Sequence, residues 1–294
     1  MTENPDTQHI PTAPRIVAGV DFSQNAARAA HWAAREANDR ALALHLAYAY
    51  DRPGAKGTIV EPPGYVKAHR VAGEKLLAKT GDVILEQYPH LALTSEVFER
   101  GAADALVYLS DTAQLVVTGS RGHGGFAGML LGSVSLKVAA HARCPTVVVH
   151  GEATEEPLNE IVLGIQPDQA EAPIRFAFAS AATLGAELSI IRCRWPRPAD
   201  EGHATPTATS PEEQQEADIA DLLKPVREDY PDVKVSTYLM RGNPVPSLIG
   251  AAQGCRLLVV GAHRHRGPLS LGPGYVVQGL LAHSLTPVAV IPIA

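Results

Sequence analysis

The stretch VVTGSRGHGGFAGMLLGSVS (116–135) decides the fold, because it recurs in altered form as LVVGAHRHRGPLSLGPGYVV (258–277). In both, a short apolar run ends at a glycine, a glycine-rich loop follows, and another glycine precedes a segment typical of a helix start. Seven identical residues keep one offset of 142 positions, which indicates a tandem duplication. The identical pairs are Gly119/Gly261, His123/His265, Gly125/Gly267, Gly132/Gly274, Val134/Val276, His141/His283 and Pro145/Pro287.

Two other segments repeat in the same order. RIVAGVDFS (15–23) matches EIVLGIQPD (160–168), and QYPHLALTSEVFERG (87–101) matches DYPDVKVSTYLMRG (229–242). Each copy is long enough to bury its own core, and an acidic polar segment joins the copies. We therefore predict a disordered tail (1–14), a first domain (15–150), a linker (151–158) and a second domain (159–294).

Apolar runs alternate with helical patterns in each copy. Such βαβ units predict a mostly parallel sheet with helices on both faces. The fold class is thus α/β, with two tandem, doubly wound, Rossmann-like five-stranded sheets of strand order 3-2-1-4-5. Ser23 is predicted to cap the helix after the first strand. The last strand of each copy is apolar and would lie at a sheet edge, so we expect the copies to pair there as an intrachain pseudo-dimer.

Composition excludes several classes of function. The 294 residues are 46% apolar and 19% charged, with a net charge of -6 and three cysteines. The negative charge argues against a nucleic-acid partner, and no apolar run has the length that spans a membrane. The odd cysteine count and the polar amino terminus predict a soluble cytoplasmic protein without disulfides or a signal peptide. No cluster with metal-ligand spacing stands out.

The predicted strand order places a ligand between the first and fourth strands, where the order reverses. These strands end at Asp21 and Gly119. The loop spacing is G-x2-G-x9-G-S, which combines close backbone approach to an anion with the free N–H groups of a helix start. We interpret the loop as a polyphosphate cradle; the alternative is a turn and helix cap without a ligand. Neither a Walker lysine nor a GxGxxG after the first strand is present.

Together these features resemble the universal stress protein family, in particular its tandem actinobacterial-type members. The features are a first strand ending VDFS, a fourth strand followed by GSRGHGG, and the GxxGx9GS spacing. The resemblance implies ATP as ligand, with Mg. The glycines and the helix start would line the phosphates and ribose, Asp21 would lie near the base and ribose, and the backbone around Leu46 would meet adenine. The implied ligand-binding residues are Asp21, Leu46, Gly119, Gly122, Gly132, Ser133, Val134 and Ser135.

The second copy departs from this pattern. Arg264 replaces Gly122, and Tyr275 replaces Ser133 in a position where its ring is expected to fill the phosphate space. The remaining departures are Val277 for Ser135, Gln166 for Asp21, and the prolines Pro268 and Pro273 in the loop. We therefore expect no ordinary ATP site in this half. Its segment HRHRG (263–267) is interpreted as an exposed polar loop, with an anion site at Arg264 and Arg266 or a metal site as alternatives.

Three functions remain open from the sequence. The first is an ATP-binding regulatory protein with one competent site, acting on an unknown regulatory partner. The second is a slow ATPase, although no catalytic residues can be named. The third is a nucleotide-independent dimerisation scaffold. Homodimers of whole chains are a further expectation.

Overall fold

The computed structural model describes residues 14–52, 62–122, 130–151, 157–166, 170–194, 211–263 and 273–293. The strands are β1 (Arg15–Gly19), β2 (Ala43–Ala49), β3 (Leu93–Phe98), β4 (Leu115–Gly119), β5 (Thr146–Val149), β6 (Leu158–Ile165), β7 (Glu187–Arg194), β8 (Val235–Arg241), β9 (Cys255–His263) and β10 (Val288–Ile293). The helices are α1 (Gln24–Asp39), α2 (Tyr65–Gln87), α3 (Ala102–Leu109), α4 (Ser133–His141), α5 (Glu171–Leu184), α6 (Pro211–Asp229), α7 (Pro244–Ala251) and α8 (Tyr275–His283). None of the helices within these ranges has the length and apolar character needed to cross a membrane.

All ten strands form one sheet, in the order β3-β2-β1-β4-β5-β10-β9-β6-β7-β8. Each half has the predicted order 3-2-1-4-5, but the prediction of two sheets is corrected to one. The last strands, β5 and β10, join the halves as an antiparallel pair with Val148 opposite Val288. Because this pairing covers two apolar edges, neither last strand remains exposed for another partner.

Side-chain alternation along the strands assigns the helices to the two faces of the sheet. Ile16 and Ala18 belong to a core cluster that also holds residues of α1, α2, α5 and α6 and runs through both halves. Val17 faces the other side, in a cluster with residues of α3 and α4. The corresponding cluster of the second half contains residues of α7 and α8. The cores of the two halves are therefore continuous on one face of the sheet.

The start of α1 follows the sequence prediction. Ser23 is the N-cap, and its hydroxyl accepts a hydrogen bond from the Ala26 N–H at 3.1 Å. Helix α6 starts at a proline, Pro211. Proline is well suited to the first turn of a helix, because its missing N–H would have no intrahelical partner there.

A charged cluster connects the end of α1 to the second half. The Glu36 side chain is 1% exposed and pairs with Arg40 at 2.9 Å and Arg256 at 3.6 Å. Arg256 also binds Asp39 at 2.6 Å, and Arg40 donates to the Ser180 hydroxyl at 2.9 Å. Because a buried carboxylate is stable only when it is paired, each half supplies groups that the other needs.

Candidate functional site

A cavity of about 380 Å³ lies at the carboxyl ends of β1 and β4 in the first half. The starts of α1 and α4, together with α3 and β2, complete its walls. Seven of the eight residues assigned from the sequence line this cavity. They are Asp21, Gly119, Gly122, Gly132, Ser133, Val134 and Ser135.

Leu46 is the eighth residue; the prediction concerned the backbone around it, and its side chain does not line the cavity. Its side chain is fully buried in the core cluster on the opposite face of the sheet. The neighbouring residues Ala47 and Ala49 form the β2 wall instead. Period-two alternation explains the difference, because adjacent residues of a strand point to opposite faces.

Asp21 and Gly122 are in close contact across the cavity mouth. The Asp21 carboxylate accepts a hydrogen bond from the Ser23 N–H at 2.8 Å, which orients it beside the cap of α1. A Cβ added to Gly122 would lie 2.6 Å from the other Asp21 oxygen. Ser23 also donates from its hydroxyl to the Arg121 carbonyl at 3.4 Å. The glycine therefore lets the loop after β4 approach the carboxylate.

Gly119 lines the cavity and also packs closely against α1. A Cβ at this position would lie 2.7 Å from the Asn25 carbonyl carbon and 2.9 Å from the Ala26 nitrogen. This close approach to the backbone of α1 requires glycine. The contact positions the end of β4 against the start of α1, so Gly119 shapes the cavity by packing.

The start of α4 is attached to the loop after β4. The Gly132 N–H donates to the Ser120 carbonyl at 2.7 Å. The buried Ser135 hydroxyl lies 3.0 Å from the Gly119 carbonyl and 3.2 Å from that of Ser120, so its proton is shared between protein acceptors. Ser135 therefore also holds the start of α4 against the loop after β4. Ser133 is exposed at the cavity, beside the first N–H groups of the helix, which favour an anion.

Arg121 connects the cavity to the other half of the chain. Its exposed side chain lines the cavity, and its positive charge interacts electrostatically with His150 at the end of β5. Burial is the main cause that lowers the pKa of His150, and Arg121 contributes in the same direction. The His150 ring also contacts the Leu281 carbonyl of α8 at 2.6 Å. A charge bound beside Arg121 would therefore act close to a contact between the halves.

Sequence reasoning missed the residues that form the cavity floor. These residues are small and lie on one face of three neighbouring strands: Gly19, Ala47, Ala49 and Thr118. Strand alternation would have identified them, because they occupy the positions that alternate with buried core residues. Gly19 is needed for packing, since a Cβ there would lie 2.8 Å from Leu106 of α3.

The equivalent place in the second half holds a smaller cavity of about 230 Å³. The strand register aligns Gly19 with Gly164, and at the aligned positions Ile191 replaces Ala47, Cys193 replaces Ala49 and Val260 replaces Thr118. Gln166 and Val277 line it where Asp21 and Ser135 line the first cavity. Larger and more apolar side chains on the floor therefore narrow the second cavity.

Tyr275 does not fill this space, contrary to the expectation from the sequence. It is 69% exposed, and its hydroxyl lies 3.5 Å from the Asn243 amide. The residue before the helix also differs in conformation: Gly274 has φ 89°, whereas Gly132 has φ -77°. Arg264 and Arg266, named for an anion or metal site, lie outside the described residues.

Comparison with known proteins places the chain in a family. The model of the universal stress protein family matches residues 13–150 and again residues 158–292. The chain belongs to the universal stress protein family. A universal stress protein of Mycolicibacterium smegmatis is 31% identical over 289 residues, covering 94% of this chain and 96% of that protein. The universal stress protein Rv2623 of Mycobacterium tuberculosis is 30% identical over 291 residues, covering 94% and 95%.

Solved structures of the family share the two-domain fold. A universal stress protein from Archaeoglobus fulgidus DSM 4304 matches with a TM-score of 0.71 at 13% identity, covering 95% of this chain and 98% of that one. A putative universal stress protein from Pseudomonas aeruginosa UCBPP-PA14 matches with a TM-score of 0.59 at 13% identity, covering 95% and 93%. At these identities the likeness shows the fold alone.

Proposed function

We propose that this universal stress protein is an ATP-binding regulatory protein with one nucleotide site, in the first half of the chain. The observation that carries the proposal is the cavity of about 380 Å³, around which Asp21, Gly122 and the start of α4 converge. Small, mostly apolar residues form the floor of the cavity, which suits the flat adenine ring. Its rim carries Arg121 and helix N–H groups that suit phosphates.

The residues present are compatible with ATP and Mg. Gly122 leaves room beside the Asp21 carboxylate that any side chain would occupy. Ser133 and Arg121 would hold the phosphates, and Asp21 would lie near the ribose or assist in holding the metal. The second half has Gln166 in place of Asp21, and the described residues there line a smaller cavity, which supports one site per chain.

The test is to denature the purified protein and quantify the nucleotide released per chain. We expect about one ATP per chain, as the one-site proposal states. Two per chain would contradict the loss of the second site. No nucleotide, with no change in melting temperature on adding Mg-ATP, would favour a nucleotide-independent scaffold.

A matched pair of variants examines the cradle itself. Gly122→Arg copies the second half and places a side chain against the Asp21 carboxylate, so we expect it to abolish ATP binding. Arg264→Gly is the reciprocal change in the second half and should leave ATP binding as in the unmodified protein. Unaltered ATP binding by Gly122→Arg would contradict the proposal that this loop holds the phosphates.

A slow ATPase is the second candidate, because one carboxylate and one cation, Asp21 and Arg121, are found among the described residues lining the cavity. Phosphoryl transfer also needs an oriented water and stabilisation of the developing charge. Slow ADP formation that disappears in Asp21→Ala while ATP binding persists would establish this activity. Regulation would then act through turnover rather than through occupancy alone.

We also propose that whole chains self-associate and that a regulatory protein partner reads the occupied state. Since β5 and β10 already pair within the chain, another surface must serve any homodimer. Light scattering with and without Mg-ATP tests both the oligomeric state and its dependence on nucleotide. A monomer under both conditions would contradict the homodimer.

A further inference from the structure

Thr118 is a polar residue on the otherwise apolar floor of the first cavity. It lies in β4, is 3% exposed, and lines the cavity with Gly19 and Ala47. Its hydroxyl oxygen is buried and has no hydrogen-bond partner among the described residues. Buried hydroxyls are almost always hydrogen-bonded, because burial removes their contact with water. The structure thus contains a hydroxyl that the protein itself does not satisfy.

The fold does not require this hydroxyl. The aligned position in the second half is Val260, which is buried in an apolar cluster at the same place in its sheet. Valine has the shape of threonine with a methyl in place of the hydroxyl. A valine would therefore fill the position in the first half without leaving an unpaired polar atom.

Depth in the cavity indicates which part of a ligand reaches Thr118. Arg121, Gly122 and Ser133 are exposed at the rim, whereas Thr118 and Ala47 are buried at the floor. Phosphates at the rim keep contact with water and with the helix N–H groups, and burying their charge at an apolar floor would be costly. The uncharged part of a nucleotide is the part that suits the floor.

We propose that Thr118 is a ligand-binding residue whose hydroxyl hydrogen-bonds a polar atom of the nucleoside part of the nucleotide. The inference rests on the proposed nucleotide site and extends it to a residue that the family resemblance did not assign. A threonine hydroxyl both donates and accepts, and strand residues commonly adopt either of two χ1 rotamers, so a bound ligand can select the rotamer that faces it.

The test compares Thr118→Val with Thr118→Ser. ATP affinity is measured by calorimetry, and adenosine affinity by displacement of a fluorescent ATP analogue. We expect Thr118→Val to bind both ligands about tenfold more weakly, because a ligand atom loses its partner, and Thr118→Ser to restore most of the affinity. Unchanged ATP affinity in Thr118→Val would overturn the inference. A loss for ATP without a loss for adenosine would place the bond on a phosphate and overturn the nucleoside assignment.

Stability without nucleotide provides a second measurement. Thr118→Val should melt at the same or a higher temperature than the unmodified protein, since it removes an unsatisfied hydroxyl; a lower melting temperature would indicate a structural role. Val260→Thr is the matched control, expected to lower the melting temperature and leave ATP affinity unchanged. If the unmodified protein itself binds no ATP, the proposed function fails; if it binds ATP and Thr118→Val binds equally, only this inference fails.

Discussion

The two halves of the chain have the same strand order, yet the first encloses about 380 Å³ and the second about 230 Å³ at the carboxyl ends of their strands. Some contacts occur in both halves. A Cβ on Gly19 would lie 2.8 Å from Leu106, and one on Gly164 would lie 2.9 Å from Leu248. Residues shared in this way serve the fold, which both halves keep.

Other residues occur in the first half alone. Asp21, Ala47 and Thr118 have Gln166, Ile191 and Val260 as their counterparts, and each exchange makes the second cavity smaller, less charged or more apolar. Residues that both halves keep are candidates for a role in folding, whereas residues found only in the first half are candidates for a role in ligand binding. Single substitutions distinguish these two roles.

The largest effect is expected for Gly119→Ala. The new Cβ would lie within 3 Å of the Asn25 and Ala26 backbone, which has no flexible end that could move aside. We expect a loss of about 3 kcal/mol in the free energy of unfolding, together with weaker ATP binding because the cavity wall shifts. Urea unfolding measures the first and calorimetry the second.

The control for Gly119→Ala is Gly250→Ala in α7. A Cβ there meets nothing within 4 Å, so its stability should be equal to or slightly above that of the unmodified protein. Equal stability of the two variants would show that packing against α1 does not require glycine at position 119.

A smaller effect, mainly on binding, is expected for Ala47→Ile, which copies Ile191. The longer side chain would extend from the cavity floor and should weaken ATP binding about 100-fold, with a smaller loss of stability than Gly119→Ala because part of it enters the cavity. Calorimetry and urea unfolding separate the two effects.

The reciprocal variant Ile191→Ala should show the opposite pattern. Loss of a buried side chain costs about 2–5 kcal/mol in stability, while ATP binding in the first half remains as before. Full ATP affinity in Ala47→Ile would mean that the nucleotide does not reach the cavity floor. It would then also not reach Thr118.

Local features of the sequence predicted much of this architecture. The alternation of strand and helix patterns predicted the strand order of each half, and the pattern around Ser23 predicted the cap of α1. The GxxGx9GS spacing and the family resemblance together named seven residues that line one cavity. These results depend on neighbouring residues and on general rules of parallel sheets.

Contacts between distant parts of the chain were not predictable in this way. Glycine is required at position 119 because the backbone of Asn25 lies against it, and one partner of the buried Glu36 is Arg256 in the other half. Tyr275 was expected to block the second cavity, but its side chain turns to solvent. No local pattern states which segment a side chain meets across the sheet, so packing and side-chain direction appear only with the structure.

The smallest effect near neutral pH concerns His45, whose counterpart in the second half is Ser189. Burial lowers the pKa of His45 from 6.5 to about 4, and the charge of Arg15 acts in the same direction. Between these values the unfolded chain binds a proton that the folded chain does not. Stability should therefore fall by about 1 kcal/mol per unit as pH drops from 6.5 towards 4, with no contribution from His45 above that range.

His45→Ser, which copies the second half, isolates this contribution. Urea unfolding across the same pH range should give a shallower decline for the variant than for the unmodified protein, whatever its absolute stability. Because His150 is also buried with a lowered pKa, some decline should persist in the variant. Parallel curves for the two proteins would show that His45 titrates alike in the folded and unfolded chains. The difference between the halves at this position would then carry no consequence for pH.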